Sequence, residues 1–77
     1  MAQKELVEYI AKALVDNPDA VEVMESSHRD DTLELHVDAE DRGKVIGRKG
    51  RTVHAIRVLL TATSPDGEAV GLDIVDA

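Results

Sequence analysis

Tyr9 is the only aromatic residue in this 77-residue chain, and there is no cysteine. These two facts limit the fold more than any other. A chain this short buries only about 60–65% of its unfolded surface, and it has neither disulfides nor thiolate metal sites to reinforce it. Its core must be built from Val, Leu, Ile and Ala, in one domain spanning residues 1–77. Small domains of this kind often gain stability by association, and size alone leaves homodimerisation open. The missing aromatics also argue against the sheet-borne base stacking of RRM and OB modules.

The apolar residues fall into recognisable periods. Over residues 3–15, Leu6, Val7, Ile10, Ala13 and Leu14 sit at helical spacing, and Asn17-Pro18-Asp19 ends the helix. Residues 20–27, with Val21, Val23 and Met24, read as a strand. His28 to Asp31 is a polar turn. Residues 32–37 alternate, with Leu33, Leu35 and Val37 on one face and Thr32, Glu34 and His36 on a wet face. These two strands predict a hairpin. Asp38 is a fair N-cap for a short helix over 39–46, and a second helix follows over 51–63. Ser64-Pro65-Asp66-Gly67 is a turn before a last strand over 69–75. The order α-β-β-α-α-β implies an α+β two-layer domain, with three helices on one face of a three-stranded sheet.

Charge is divided unevenly. Residues 42–57 hold six basic residues (Arg42, Lys44, Arg48, Lys49, Arg51, Arg57) and no acid, whereas the rest of the chain holds three basic residues and all 16 acids. A net charge of −7 argues against indiscriminate coating of nucleic acid but leaves room for a local site. At the centre of the basic segment is Gly47-Arg48-Lys49-Gly50, between two helical patterns. Without a Cβ at either glycine, a polynucleotide backbone can approach the main chain. The first N–H groups of the following helix lack intrahelical partners and favour anions. Arg48 and Lys49 are the residues expected to touch phosphate. Lys44, Arg51 and Arg57 are expected to supply field, and Val45, Ile46 and Val53 an apolar floor for bases. The plain alternative is a helix–helix turn with two surface cations.

The string from Gly43 to Thr52, GKVIGRKGRT, followed by Ala55-Ile56-Arg57, together with the element order, resembles a type II KH domain and in particular the small bacterial KhpA proteins. That resemblance covers nearly the whole chain. It implies a non-enzymatic protein that clamps single-stranded RNA through a GXXG loop, here Gly47, Arg48, Lys49 and Gly50. It further implies an RNA chaperone or post-transcriptional regulator, a homodimer, and a larger KH partner of the KhpB type, also called Jag or EloR. Links to cell shape, elongation and division and to small regulatory RNAs come with the same resemblance.

Other readings follow from the residues themselves. Helix 51–63 carries more apolar residues than one sheet-facing stripe needs. It is either deeply buried or a self-complementary dimer face using Val53, Ile56, Leu59 and Leu60. An adaptor whose main role is protein–protein interaction is the alternative function. Duplex DNA reading by this helix is weaker, because it offers few base-reading side chains. His28, His36 and His54 lack metal-ligand spacing. His36 and His54 read as surface residues, Tyr9 as a rim residue, and Asp38 to Asp41 as solvated acids and caps. No nucleophile elbow, P-loop or dinucleotide fingerprint is present, so neither catalysis nor a cofactor is expected. No apolar run is long enough to cross a membrane and no signal peptide is visible, which predicts a soluble cytoplasmic protein.

Overall fold

The computed structural model describes residues 3–76, and within them the elements follow the predicted order. Helix α1 is Gln3–Leu14, strand β1 is Glu22–Glu25 and strand β2 is Thr32–Val37. Helix α2 is Arg42–Ile46, helix α3 is Arg51–Ala62 and strand β3 is Gly71–Asp76. The sheet order is β1-β2-β3, with β1 antiparallel to β2 and β3 parallel to β2. Val23 lies opposite Leu35, which lies opposite Ile74 on its other side. A parallel pair needs a crossover, and α2 and α3 form it.

The core is aliphatic throughout. Val7 and Ala11 come from α1, Leu33, Leu35 and Val37 from β2, and Leu72 from β3. Val45 enters from α2, and Val53, Ile56 and Leu60 from α3. Every α-helix and the two parallel strands thus contribute to one cluster, so the helix pair on either side of the glycine loop is fixed to the sheet. Gln3 adds a polar tie, donating from Nε2 to the Leu60 carbonyl at 2.7 Å.

Several details depart from the sequence reading. On α1 the core-facing residue beside Val7 is Ala11, while Ala13 and Leu14 are exposed. The i, i+4 relation keeps Ala11 on the Val7 stripe, and Ala13 lies off it. The first strand is shorter than 20–27, because Pro18–Ala20 forms a 3₁₀ turn with proline at its start. The helix expected over 39–46 is two pieces, a 3₁₀ turn at Ala39–Asp41 and then α2. Thr32, expected on the wet face, is buried, since its hydroxyl leans over Gly71 where no side chain competes for the space. Strand β3 begins at Gly71 rather than residue 69 because pairing starts where β2 does, at Thr32. Among the described residues no helix is long and apolar enough to cross a membrane.

Candidate nucleic-acid interface

Helix α2 stops at Ile46 because Gly47 takes φ 76°, ψ 174°, a backbone that leaves the helix and that side chains rarely tolerate. Residues Arg48–Gly50 then make one 3₁₀ turn. Inside it Lys49 has φ 56°, ψ 26°, and Gly50 has φ 74°, ψ 14°. Two consecutive left-handed residues reverse the chain into α3 within a single turn. Lys49 is the only non-glycine residue with positive φ among those described, a conformation that costs roughly 1–2 kcal/mol. Such strain marks sites where surrounding structure dictates the backbone. The N-cap of α3 is Gly50, which offers no side-chain cap, and the first N–H of the helix, that of Arg51, donates to the Arg48 carbonyl instead. The turn is neither buried nor continuous with a longer helix: Arg48 and Lys49 are exposed and the two glycines are half-exposed.

The two glycines serve different ends. A Cβ at Gly47 would lie 2.7 Å from the Cβ of Thr52, so glycine is demanded there by packing as well as by φ. At Gly50 the nearest atom to such a Cβ is Val53 Cγ1 at 4.0 Å, so only the left-handed backbone favours glycine. Thr52, which closes the GKVIGRKGRT string but carries no expected role in it, is thus the residue packed against the loop's first corner.

The structure sorts the six basic residues into two sets. Lys44 donates to Asp16 Oδ2 at 2.7 Å and to Asp41 Oδ1 at 3.3 Å. Arg57 turns back onto β3, donating from Nη2 and Nε to the Leu72 carbonyl at 2.7 and 3.2 Å. Arg42 lies 3.7 Å from Asp76 Oδ1. Arg48, Lys49 and Arg51 are exposed and make no ion pair among the described residues. Of the segment's four cations without an acid partner among the described residues, three therefore lie on the turn and the first residue of α3, and the fourth, Arg57, is tied to a carbonyl.

Asp41, expected to be a solvated acid, is 2% exposed. Its Oδ2 accepts the Asn17 N–H at 3.0 Å. That bond holds its carboxyl below the usual carboxylate range against the opposing effect of burial, with the Asp16 backbone and Lys44 assisting. Lys44 is held above its usual value, first by Asp16 and then by Asp41. Asp38 does act as a cap, accepting the Glu40 N–H at 3.0 Å.

The apolar residues around the loop are mostly spoken for. Val45 and Val53 are buried in the core, and only Ile46 of the expected base floor is half-exposed. On α3, Val53, Ile56 and Leu60 also face the core. Of the four residues expected on a dimer face, Leu59 alone is exposed, at 46%, and Val58 beside it is 54% exposed. Helical spacing groups all these residues and cannot say which stripe meets the sheet. Val58 also lines an open groove of about 530 Å³ with His54, Arg57, Thr61 and the Ala69-Val70 segment. His54 and Tyr9 are exposed as expected, whereas His36 is half-buried, 3.4 Å from Glu34. No group of acids and histidines among the described residues is arranged to hold a metal ion.

A Gly-X-X-Gly turn between two short helices, mounted on a mixed three-stranded sheet in the order α-β-β-α-α-β, defines a type II KH domain. The chain belongs to the KhpA/KhpB family, whose KH-domain model matches residues 4–74. It is 59% identical over 61 residues to the RNA-binding protein KhpA of Caldanaerobacter subterraneus, covering 78% of this chain and 81% of the relative. Against the RNA-binding protein KhpA of Leifsonia xyli it is 49% identical over 69 residues, covering 88% and 90%. Against that of Halalkalibacterium halodurans it is 47% identical, covering 95% and 99%. No solved structure matches the chain.

Proposed function

We propose that this protein binds single-stranded RNA by clamping its backbone on Gly47-Arg48-Lys49-Gly50. The observation that carries this reading is the concentration of unpaired cations, Arg48, Lys49 and Arg51, on an exposed turn whose ends lack side chains. Phosphates would meet the two loop cations and the positive end of α3, whose first N–H, that of Arg51, is already given to the Arg48 carbonyl. Ile46 is the apolar surface left for a base. The relatives named RNA-binding protein KhpA support RNA as the ligand. With most apolar neighbours committed to the core, recognition rests on backbone contacts and tolerates many sequences. That suits a non-enzymatic RNA chaperone or post-transcriptional regulator.

The cleanest test is Gly50→Asp. It places a negative charge in the clamp where a side chain has room, and Asp tolerates left-handed backbone better than most residues. Loss of binding to single-stranded RNA, with an unchanged circular dichroism spectrum, is the expected outcome. Wild-type affinity in that variant removes the loop from the binding site. Competition with duplex DNA distinguishes this reading from a recognition helix.

A second reading is favoured by the exposed pair Val58 and Leu59. They form an apolar strip on α3 that a second copy, or a KhpB-type KH protein, would cover. Pairing of this kind gives two loops on one assembly and adds avidity to a weak single site.

A further inference from the structure

Lys44 lies three residues before Gly47, about one helical turn from the loop, yet its ammonium is already shared. Asp16 Oδ2 is 2.7 Å away and Asp41 Oδ1 is 3.3 Å away. The two acids are not equivalent. Asp41 is buried and also holds the backbone of Asn17, so it belongs to the scaffold. The Asp16 side chain is 82% exposed, and Lys44 is its one side-chain partner among the described residues. Asn17 fastens this linker between α1 and β1 to the 3₁₀ lead-in of α2 and its cap, through Asp41 at 3.0 Å and Asp38 at 3.2 Å. The Asp16 carboxylate is thereby held beside Lys44. A phosphate arriving there would meet one ammonium and two carboxylates, a local sum of −1 in formal charge.

We propose that Asp16 is an internal competitor of RNA phosphate: it occupies Lys44 and keeps that cation out of the binding site, holding affinity below what the basic segment could deliver. The inference rests on the reading of Gly47–Gly50 as an RNA-backbone clamp. It explains why a cation so near the loop has its charge cancelled by an exposed acid with no other side-chain bond. It also identifies a contact whose loss would tune the site without touching the loop.

The test is fluorescence anisotropy with a short labelled oligo(U), over a range of salt, on wild type, Asp16→Asn, Asp16→Asn/Lys44→Gln and Gly50→Asp. Asp16→Asn should bind about two- to five-fold tighter near physiological salt, the range set by a surface ion pair. The slope of log affinity against log salt should steepen by about 0.7, the signature of one more neutralised phosphate. The double variant should lose both gains. Loop-dependent binding with unchanged affinity and slope in Asp16→Asn overturns the competitor role and leaves the clamp standing. Equal binding by wild type and Gly50→Asp removes the clamp itself. Tighter binding without a steeper slope assigns the gain to a general loss of negative field and also overturns the proposal. The slope of Asp16→Asn decides the matter even if the double variant fails to fold.

Discussion

Gly47 and Thr52 touch across the turn so closely that a Cβ on the glycine would stand 2.9 Å from the threonine's backbone nitrogen. The Thr52 hydroxyl and Cβ lie closer still, and the Cβ and the backbone nitrogen cannot swing aside as a side-chain tip can. Gly47→Ala should therefore lower unfolding free energy by about 2–3 kcal/mol, combining overpacking with an unfavourable φ. Gly50→Ala meets no such neighbour and should cost about 1 kcal/mol for its left-handed backbone. Urea unfolding midpoints of the two variants measure the difference. Equal losses would mean that the Thr52 contact does not shape the loop.

Salt dependence counts the cations in use. With Arg48, Lys49 and Arg51 unpaired, the log–log slope for single-stranded RNA should be near 2, at roughly 0.7 per phosphate neutralised. Arg48→Ala/Lys49→Ala should reduce it to about 0.7 and weaken binding at every salt concentration. A wild-type slope near 4 would show that all six basic residues take part and that the ion pairs of Lys44 and Arg42 break on binding.

Helix α3 offers an internal comparison. Ile56 is 3% exposed and Leu59 is 46% exposed, three residues apart on one helix. Ile56→Asp should unfold the domain, since an unpaired buried carboxylate costs more than about 4 kcal/mol. Leu59→Asp should leave the melting curve close to that of wild type. Light scattering on Leu59→Asp then tests the pairing strip directly: a dimeric wild type should become monomeric. A dimer that survives Leu59→Asp uses another surface.

The Asp41 carboxyl titrates below its ordinary value when folded, owing first to the Asn17 N–H. Its folded pKa is below the unfolded one, so the unfolded chain takes up protons first as pH falls. The stabilisation is fully present above about pH 4 and is lost as pH drops through the folded pKa. Asp66 is shifted the same way by the Ser64 hydroxyl and the Glu68 N–H. Asp41→Asn should flatten the acid limb of the stability curve and lower Tm at neutral pH by about 5 °C. An acid limb identical to wild type would assign that limb to other carboxylates.

Much of this architecture is legible in the residues. Leu33, Leu35 and Val37 alternate, and alternation can only be satisfied by a strand with one buried face. Gly47 and Gly50, placed between two helical patterns, mark the reversal because no other residue type enters that backbone so readily. The buried state of Asp41 was hidden, because its partner Asn17 is distant in sequence and donates from its backbone, which every residue possesses. The fate of Lys44 and Arg57 was hidden for a similar reason: their partners, Asp16 and the Leu72 carbonyl, reach them only after the sheet and helices assemble. Sequence reading counts charges well, but it cannot tell which are already answered. It also cannot phase a helix as apolar as α3, where Ile56 and Leu59 look alike until the sheet is in place.

Strands β2 and β3 lie side by side although the entire helix–turn–helix unit falls between them in the chain. Closing that long crossover is an entropic toll that must be met before the pairing rewards it. The turn is fixed to the sheet only once that crossover has closed. Any polyanion that grips it is then a ligand of the folded form alone, and mass action makes occupancy and folding one linked equilibrium.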